Sequence, residues 1–259
     1  MSLLVLDHID IAYGNNTIIR DFNLEMQQGE IISIVGESGS GKTTLVRSVL
    51  GLLPGKGHVT AGDIIFDGDS LLQYTEKEWR ALRGRGISMI FQNCGAMMNQ
   101  MRTIGATFVE YICCQQKTSK KEAWDIGCEM LNRMRLPNPD NVMKSYPFQL
   151  SGGMRQRVGI AIAMTFQPKL LLADEPTSAL DVSTQAQIVH QMLELRDEFG
   201  TSIIIVTHNL AVAAYMGDRI LVMKHGEMVE SGDRDHIFNH TQHEYTRQLL
   251  DAVPSLKGV

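Results

Sequence analysis

Cysteine is scarce in this chain of 259 residues, basic residues do not dominate it, and no long apolar run is present. The four cysteines, Cys94, Cys113, Cys114 and Cys128, include no C-x-x-C pair. That spacing excludes a zinc framework and leaves thiols of a reducing compartment. Lys and Arg number 24 against 29 Asp and Glu, for a formal charge of −5. The balance argues against a nucleic-acid partner, which selects a basic stripe. The start, MSLLVLDHID, lacks the basic and apolar regions of a secretory signal. The longest apolar run, VGIAIAM at 158–164, is far short of the ~20 residues of a membrane span. A soluble chain is expected, and any membrane part of its work must come from another subunit. The fifteen methionines, several of them between Met89 and Met101, read as adaptable core or interface filler. With 44% hydrophobic and 20% charged residues, the composition is that of an ordinary globular protein.

Residues 3–13 and 17–26 alternate apolar and polar side chains, which predicts half-buried antiparallel strands. EIISIVG at 30–36 is continuous and apolar, the pattern of a strand buried on both faces. It runs into a glycine-rich loop and a helix starting near Gly41. Strands are predicted at 62–68 and 87–92, with a short helix capped by Thr75 and Glu78 between them. From about 93 to 165 helical periodicity replaces strand patterns, with helices near 103–116, 119–135 and 153–165. Strands return with KLLLAD at 169–174 and SIIIVTH at 202–208, separated by a long helix from Asp181 to about Phe199. A hairpin turning at His225-Gly226 and one closing helix, HEYTRQLLDAV, complete the chain. This predicts one domain over 1–259. Residues 1–92 and 166–259 form a sheet core with an antiparallel β subdomain, and 93–165 form an inserted helical subdomain.

GESGSGKTT at 36–44 fits the phosphate-loop pattern and sits where it must, between a buried strand and a helix. Gly36, Glu37, Ser38, Gly39, Ser40 and Gly41 would curl the backbone so that its N–H groups face phosphates. Lys42 would reach the β- and γ-phosphates and the Thr43 hydroxyl would bind Mg²⁺, with Thr44 following. LLLADEP at 170–176 is an apolar strand ending in two carboxylates. Asp174 suits the Mg²⁺ shell, and Glu175 can polarise an attacking water. His208 closes another apolar strand and is expected to face the γ-phosphate, since ligands gather beyond the carboxyl ends of parallel strands. Gln92 ends the strand at 87–92 and is placed to touch Mg²⁺ or the water.

A phosphate loop, a glutamine after a strand, LSGGM at 150–154 before a helix, LLLADEP, SALD at 178–181 and a terminal histidine occur here in that order. The chain resembles the ATP-binding subunits of ABC (ATP-binding cassette) systems across essentially its whole length. The resemblance implies an α/β fold: an ABC-type P-loop ATPase with a mixed parallel core sheet, an N-terminal antiparallel β subdomain and an inserted helical subdomain. It implies ATP and Mg²⁺ as cofactors and ATP hydrolysis as the reaction. Two cassettes pack head to tail in that family, so Ser151, Gly152 and Gly153 would cap the ATP held by the partner's loop. The helix starting there would direct its positive end at the γ-phosphate. Tyr13 would stack on adenine, Glu175 would be the catalytic base, and Asp181 would cross the dimer interface. Met154 stands where the family more often has glutamine. Little consequence is expected, because backbone and serine contacts carry phosphate recognition.

GLLPGKGHVTAGDIIFDG, YPFQLSGGMRQRVGIA and HEYTRQLLDAVP look like the peptide and nickel importers. That branch implies two integral membrane permeases, a second ATPase subunit that is identical or a paralogue, and, indirectly, an extracytoplasmic binding protein. It places the chain as a peripheral subunit on the cytoplasmic face of the cell membrane, driving uptake of peptides or of nickel and metal chelates. Asn93-Cys94 and Asn99-Gln100 depart from the family's usual acidic-Pro and Asn-Pro pairs, in the loop that helps receive the permease. No cysteine follows Cys128, so no iron–sulfur cluster is expected at the end of the chain. The rival reading is a soluble cassette ATPase acting on DNA or ribosomes. Such proteins carry long coiled-coil inserts or paired cassettes, and this sequence has neither.

Overall fold

The computed structural model describes residues 2–178 and 180–252. Ala179 within SALD, and Val253 and Pro254 of the last quoted string, lie outside the described residues. The chain divides into two compact units, Met1–Arg80 with Ser202–Val259, and Ala81–Thr201.

The first unit opens with β1 (Ser2–Tyr13) and β2 (Asn16–Gln27), an antiparallel pair closed at Tyr13 and Asn16. Leu4 and Leu6 are buried on even positions, Ile9 and Ile11 on odd ones. The change of parity falls at His8, whose φ of 49° marks an irregularity where the pairing register shifts. One inserted residue turns every later side chain to the other face, and the hydrophobic pattern follows it. Next come β3 (Ile31–Val35), α1 (Lys42–Val49), β4 (Gly57–Phe66) and β5 (Asp69–Ser70). They add to a four-stranded sheet in the order β2-β1-β4-β5, while all five residues of β3 are buried elsewhere. Burying each isoleucine of such a strand is worth roughly 1.5–3 kcal/mol. The short α2 (Glu76–Leu82) starts at the predicted cap: Glu78 N donates to Thr75 Oγ1 at 3.4 Å, and Thr75 N donates to Glu78 Oε2 at 2.7 Å.

The second unit holds β6 (Ile87–Ile90), α3 (Cys94–Met97), α4 (Ile104–Gln115), α5 (Lys120–Arg133) and α6 (Pro139–Lys144). It continues with α7 (Gly152–Met164), β7 (Leu170–Asp174) and α8 (Val182–Phe199). β6 and β7 run parallel, Ile87 opposite Leu170 and Ile90 opposite Ala173. Thr103, Ser119, Ser151 and Asp181 cap α4, α5, α7 and α8 with their side-chain oxygens, which is why these helices were legible as starts. The strand expected over 87–92 ends at Ile90 instead. Asn93, at φ 85°, turns the chain and caps α3 by accepting from Ala96 N at 3.1 Å.

The chain then returns to the first unit with β8 (Ser202–Val206), α9 (Leu210–Met216), β9 (Arg219–Lys224), β10 (Glu227–Gly232), α10 (Arg234–Asn239) and α11 (Glu244–Asp251). β8 and β9 flank β3 in parallel, and β10 pairs antiparallel with β9. HEYTRQLLDAV supplies the one closing helix expected of it, α11 over Glu244–Asp251, and the short α10 before it is an addition that the sequence pattern did not signal. Ile237 of α10 and Tyr245 of α11 join Val35, Leu210, Ala213, Ile220 and Val222 in one buried cluster.

Candidate nucleotide site

The phosphate loop leaves β3 at Gly36, a buried residue at φ 152°. A Cβ at Gly36 would run into the carbonyl oxygen of Met223, so the close approach of β9 requires glycine there. Glu37, Ser38 and Gly39 are exposed, and Ser40 is buried. Ser40 N donates to Glu37 O at 3.2 Å, closing the turn, and Gly41 at φ 100° caps α1. Lys42 is buried beneath this turn. Its ammonium donates to Gly36 O and Glu37 O, both at 2.7 Å, and to Ser40 Oγ at 3.2 Å. A buried ammonium needs such acceptors, and here they orient the charge into the loop it serves. Thr43 and Thr44 follow, half-buried on the first turn of α1.

Because β3 and β8 are parallel neighbours with Ile34 opposite Val206, their carboxyl ends emerge together. His208, two residues beyond β8, is exposed at that end. Thr207 fixes the turn, donating through N to Ile34 O and accepting from Asn209 N at 3.0 Å. Tyr13 is half-buried at the end of β1, and its ring lies against Gly57, where a Cβ would come within 2.6 Å of it.

In the second unit the parallel register of β6 and β7 brings Gln92 and the Asp174-Glu175 pair out at one end. Gln92 Nε2 donates to Glu175 Oε2 at 3.0 Å. Asp174 is 1% exposed and Glu175 is half-buried. Glu175 has a φ of 48°, a conformation that costs a non-glycine residue about 1–3 kcal/mol and recurs at functional sites. Its carbonyl is pinned by Ser178, which donates through N at 3.2 Å and through Oγ at 3.0 Å.

Ser151 caps α7, its Oγ accepting from Met154 N at 3.3 Å, and it remains exposed with Gly152. Asp181 accepts at the start of α8 from Ser183 Oγ at 2.6 Å, Thr184 Oγ1 at 2.7 Å and Thr184 N at 3.0 Å. Hydrogen bonds from Ser183 and then Thr184 hold the Asp181 carboxyl well below the usual carboxylate range. The sequence places Asp181 at the start of this helix, as the preference for aspartate at an N-cap suggests, but not its bonds to both following hydroxyls. Nor does it show the meeting of the two helix starts: a Cβ on Gly153 would come within 2.8 Å of Thr184 Cγ2.

These residues suit a nucleoside triphosphate and its metal. The loop offers a buried ammonium and the start of a helix, where anions bind. Thr43 in the first unit, and Gln92 and Asp174 in the second, each carry an oxygen donor of the kind a hard cation takes.

Comparison with known proteins agrees. The ABC transporter family matches residues 19–178. The oligopeptide transport ATP-binding protein OppD of Bacillus subtilis (strain 168) is 42% identical over 249 residues, 95% of this chain and 70% of that protein. The dipeptide transport ATP-binding protein DppD of Escherichia coli (strain K12) is 40% identical over 258 residues, 98% of this chain and 79% of that protein. Among solved structures, the ATP-binding cassette MJ0796, captured as a post-hydrolysis dimer bound to ADP and Pi, superposes with a TM-score of 0.79 at 29% identity. It covers 89% of this chain and 98% of its own. The cbiO1 protein of Clostridium perfringens, part of the ABC transporter complex cbiONQ, reaches 0.79 at 26% identity over 92% of this chain and 90% of its own. The chain belongs to the ABC transporter family and is one of its ATP-hydrolysing cassettes, a family that binds ATP with Mg²⁺.

Proposed function

We propose that the chain energises a membrane importer of peptides, working as one of two cassettes packed head to tail on the cytoplasmic face of the membrane. The observation that carries the catalytic half is the Gln92–Glu175 hydrogen bond at 3.0 Å. It fixes a half-buried carboxylate at the tip of a buried strand, where it can take a proton from water attacking the γ-phosphate. Lys42 donates to the phosphates, exchanging its loop carbonyls for phosphate oxygens. His208 polarises the γ-phosphate, and Tyr13 stacks on the adenine. Thr43, Gln92 and Asp174 would hold Mg²⁺, which would supply charge neutralisation on the phosphates. Ser151, Gly152 and Gly153 meet the partner's nucleotide, and Asp181 orders the neighbouring helix start at the same interface. The helical stretch 93–165 acts as the subdomain that receives the permeases, and the flanking segments as the catalytic core.

The peptide names of the relatives above favour peptides over nickel or a metal chelate as cargo, and transport over a role on DNA or ribosomes. Among the described residues no helix is long and apolar enough to cross a membrane, which fits a subunit docked on two permeases. The test is an affinity pull-down of this chain from detergent-solubilised native membranes. Two permeases and a second cassette are expected to co-purify, and recovery with ribosomal or DNA-bound partners alone would sink the transport reading.

A further inference from the structure

The phosphate loop is gripped from outside by the last part of the chain. Gly226 N, in the turn of the β9–β10 hairpin, donates to Ser40 O at 3.0 Å, and Gly226 O accepts from Arg20 N at 3.1 Å. A side chain at Gly226 would collide with the Ile18 carbonyl, so only glycine lets the hairpin close on the loop. On the other side, Tyr245 of α11 reaches back from 208 residues away, and its hydroxyl accepts from Glu37 N at 2.9 Å. Tyr245 is 2% exposed and packs in the cluster that includes Val35, the residue before the loop. The Lys224 ammonium lies 4.5 Å from the centre of its ring, a favourable cation–π distance.

The placement of α11 is itself built. Glu230 of β10 accepts from Thr241 Oγ1 at 2.6 Å and Gln242 N at 2.9 Å, with His236 Nε2 at 3.3 Å. This carboxylate clasps the α10–α11 turn to the sheet and aims Tyr245 at the loop.

We propose that Tyr245 is a positioning residue of the nucleotide site, holding the entry of the phosphate loop through the Glu37 amide. This rests on the reading that residues 36–44 hold the phosphates. The Glu37 N–H leads directly into the turn that Lys42 supports. Without the hydroxyl, the amide finds water only if the loop shifts. Binding phosphates then requires the loop to return and leave that donor unsatisfied, so the lost hydrogen bond appears in nucleotide affinity.

The test compares Tyr245→Phe, Leu249→Ala and Lys42→Ala in the purified full chain by MgADP titration and thermal melting. Leu249 packs on the same cluster, and its side chain has no group that can hydrogen-bond the Glu37 amide. Tyr245→Phe is expected to weaken MgADP about fivefold, the ratio that a net hydrogen bond of about 1 kcal/mol gives. In the assembled transporter it raises KM for ATP and leaves kcat unchanged. Leu249→Ala lowers the melting temperature while retaining wild-type affinity. Wild-type affinity in Tyr245→Phe, or equal weakening in Leu249→Ala, overturns the proposal. If Lys42→Ala binds MgADP as the wild type does, the phosphate-loop reading fails and this inference falls with it.

Discussion

Two carboxylates at the end of an apolar run suggest Glu175 as a base, but the conformation of its backbone was not legible. Nothing in LLLADEP announces a φ of 48°, because the surrounding turn imposes that conformation through Ser178. Gln92 alone carried no information either; its meaning comes from the parallel pairing of β6 with β7, a non-local contact. Glu175→Gln tests the assignment cleanly. A glutamine has the same shape, and its amide oxygen still accepts from Gln92 Nε2, so the site stays assembled. It cannot take a proton from water. Turnover is expected to fall by about 10²–10⁴-fold, with MgATP affinity retained, as read by phosphate release and nucleotide titration on one preparation. Near-normal turnover would refute the base assignment.

Elements with caps and strong periodicity, such as α5 behind Ser119 and Glu122, were readable from sequence; α9 and α10 were not. LAVAAYM has no polar face to set a period, and RDHIFN is a single turn and a half held by Asp233, whose Oδ1 accepts from His236 N at 2.8 Å. Such short helices owe their existence to tertiary packing, here to the cluster around Val35 and Tyr245. The Glu230 clasp lies at this scale and makes a pH prediction. Burial pushes the Glu230 carboxyl up, but hydrogen bonds from Thr241 and Gln242 N, with His236 beside it, reverse this and bring it down to about 2. A depressed carboxylate stabilises the fold above its unfolded value, 4.5, and loses that contribution as pH falls toward about 2. Glu230→Gln is therefore expected to melt below wild type at neutral pH, with the gap narrowing through this window. A gap independent of pH, measured by thermal melts from neutrality down to the acid limit, would remove the carboxylate from that role.

At the scale of the whole molecule, order along the chain was more informative than any single motif. The phosphate loop lies in one compact unit, while Gln92, the two carboxylates and LSGGM lie in the other, so no local pattern joins them. Family order supplied that link. The claim that LSGGM serves a neighbour's nucleotide separates binding from turnover, and Gly152 is the place to test it. Gly152 is exposed, and a Cβ there would meet only Leu180 Cδ2 at 3.7 Å, an ordinary contact. Gly153 has no such room beside Thr184. A glutamate at the start of α7 is also tolerated by the helix, whose amino end favours negative charge. Gly152→Glu is thus expected to fold, yet it sets a carboxylate where, on that claim, a partner's γ-phosphate approaches. MgADP affinity of the isolated chain is expected to match wild type, because its own loop is untouched. ATP turnover of the assembled transporter is expected to fall by about 10²–10³-fold, the scale of losing a donor aimed at developing charge. Weakened binding in the isolated chain would mean that LSGGM acts on its own loop, and undiminished turnover in the complex would mean that it meets no nucleotide at all.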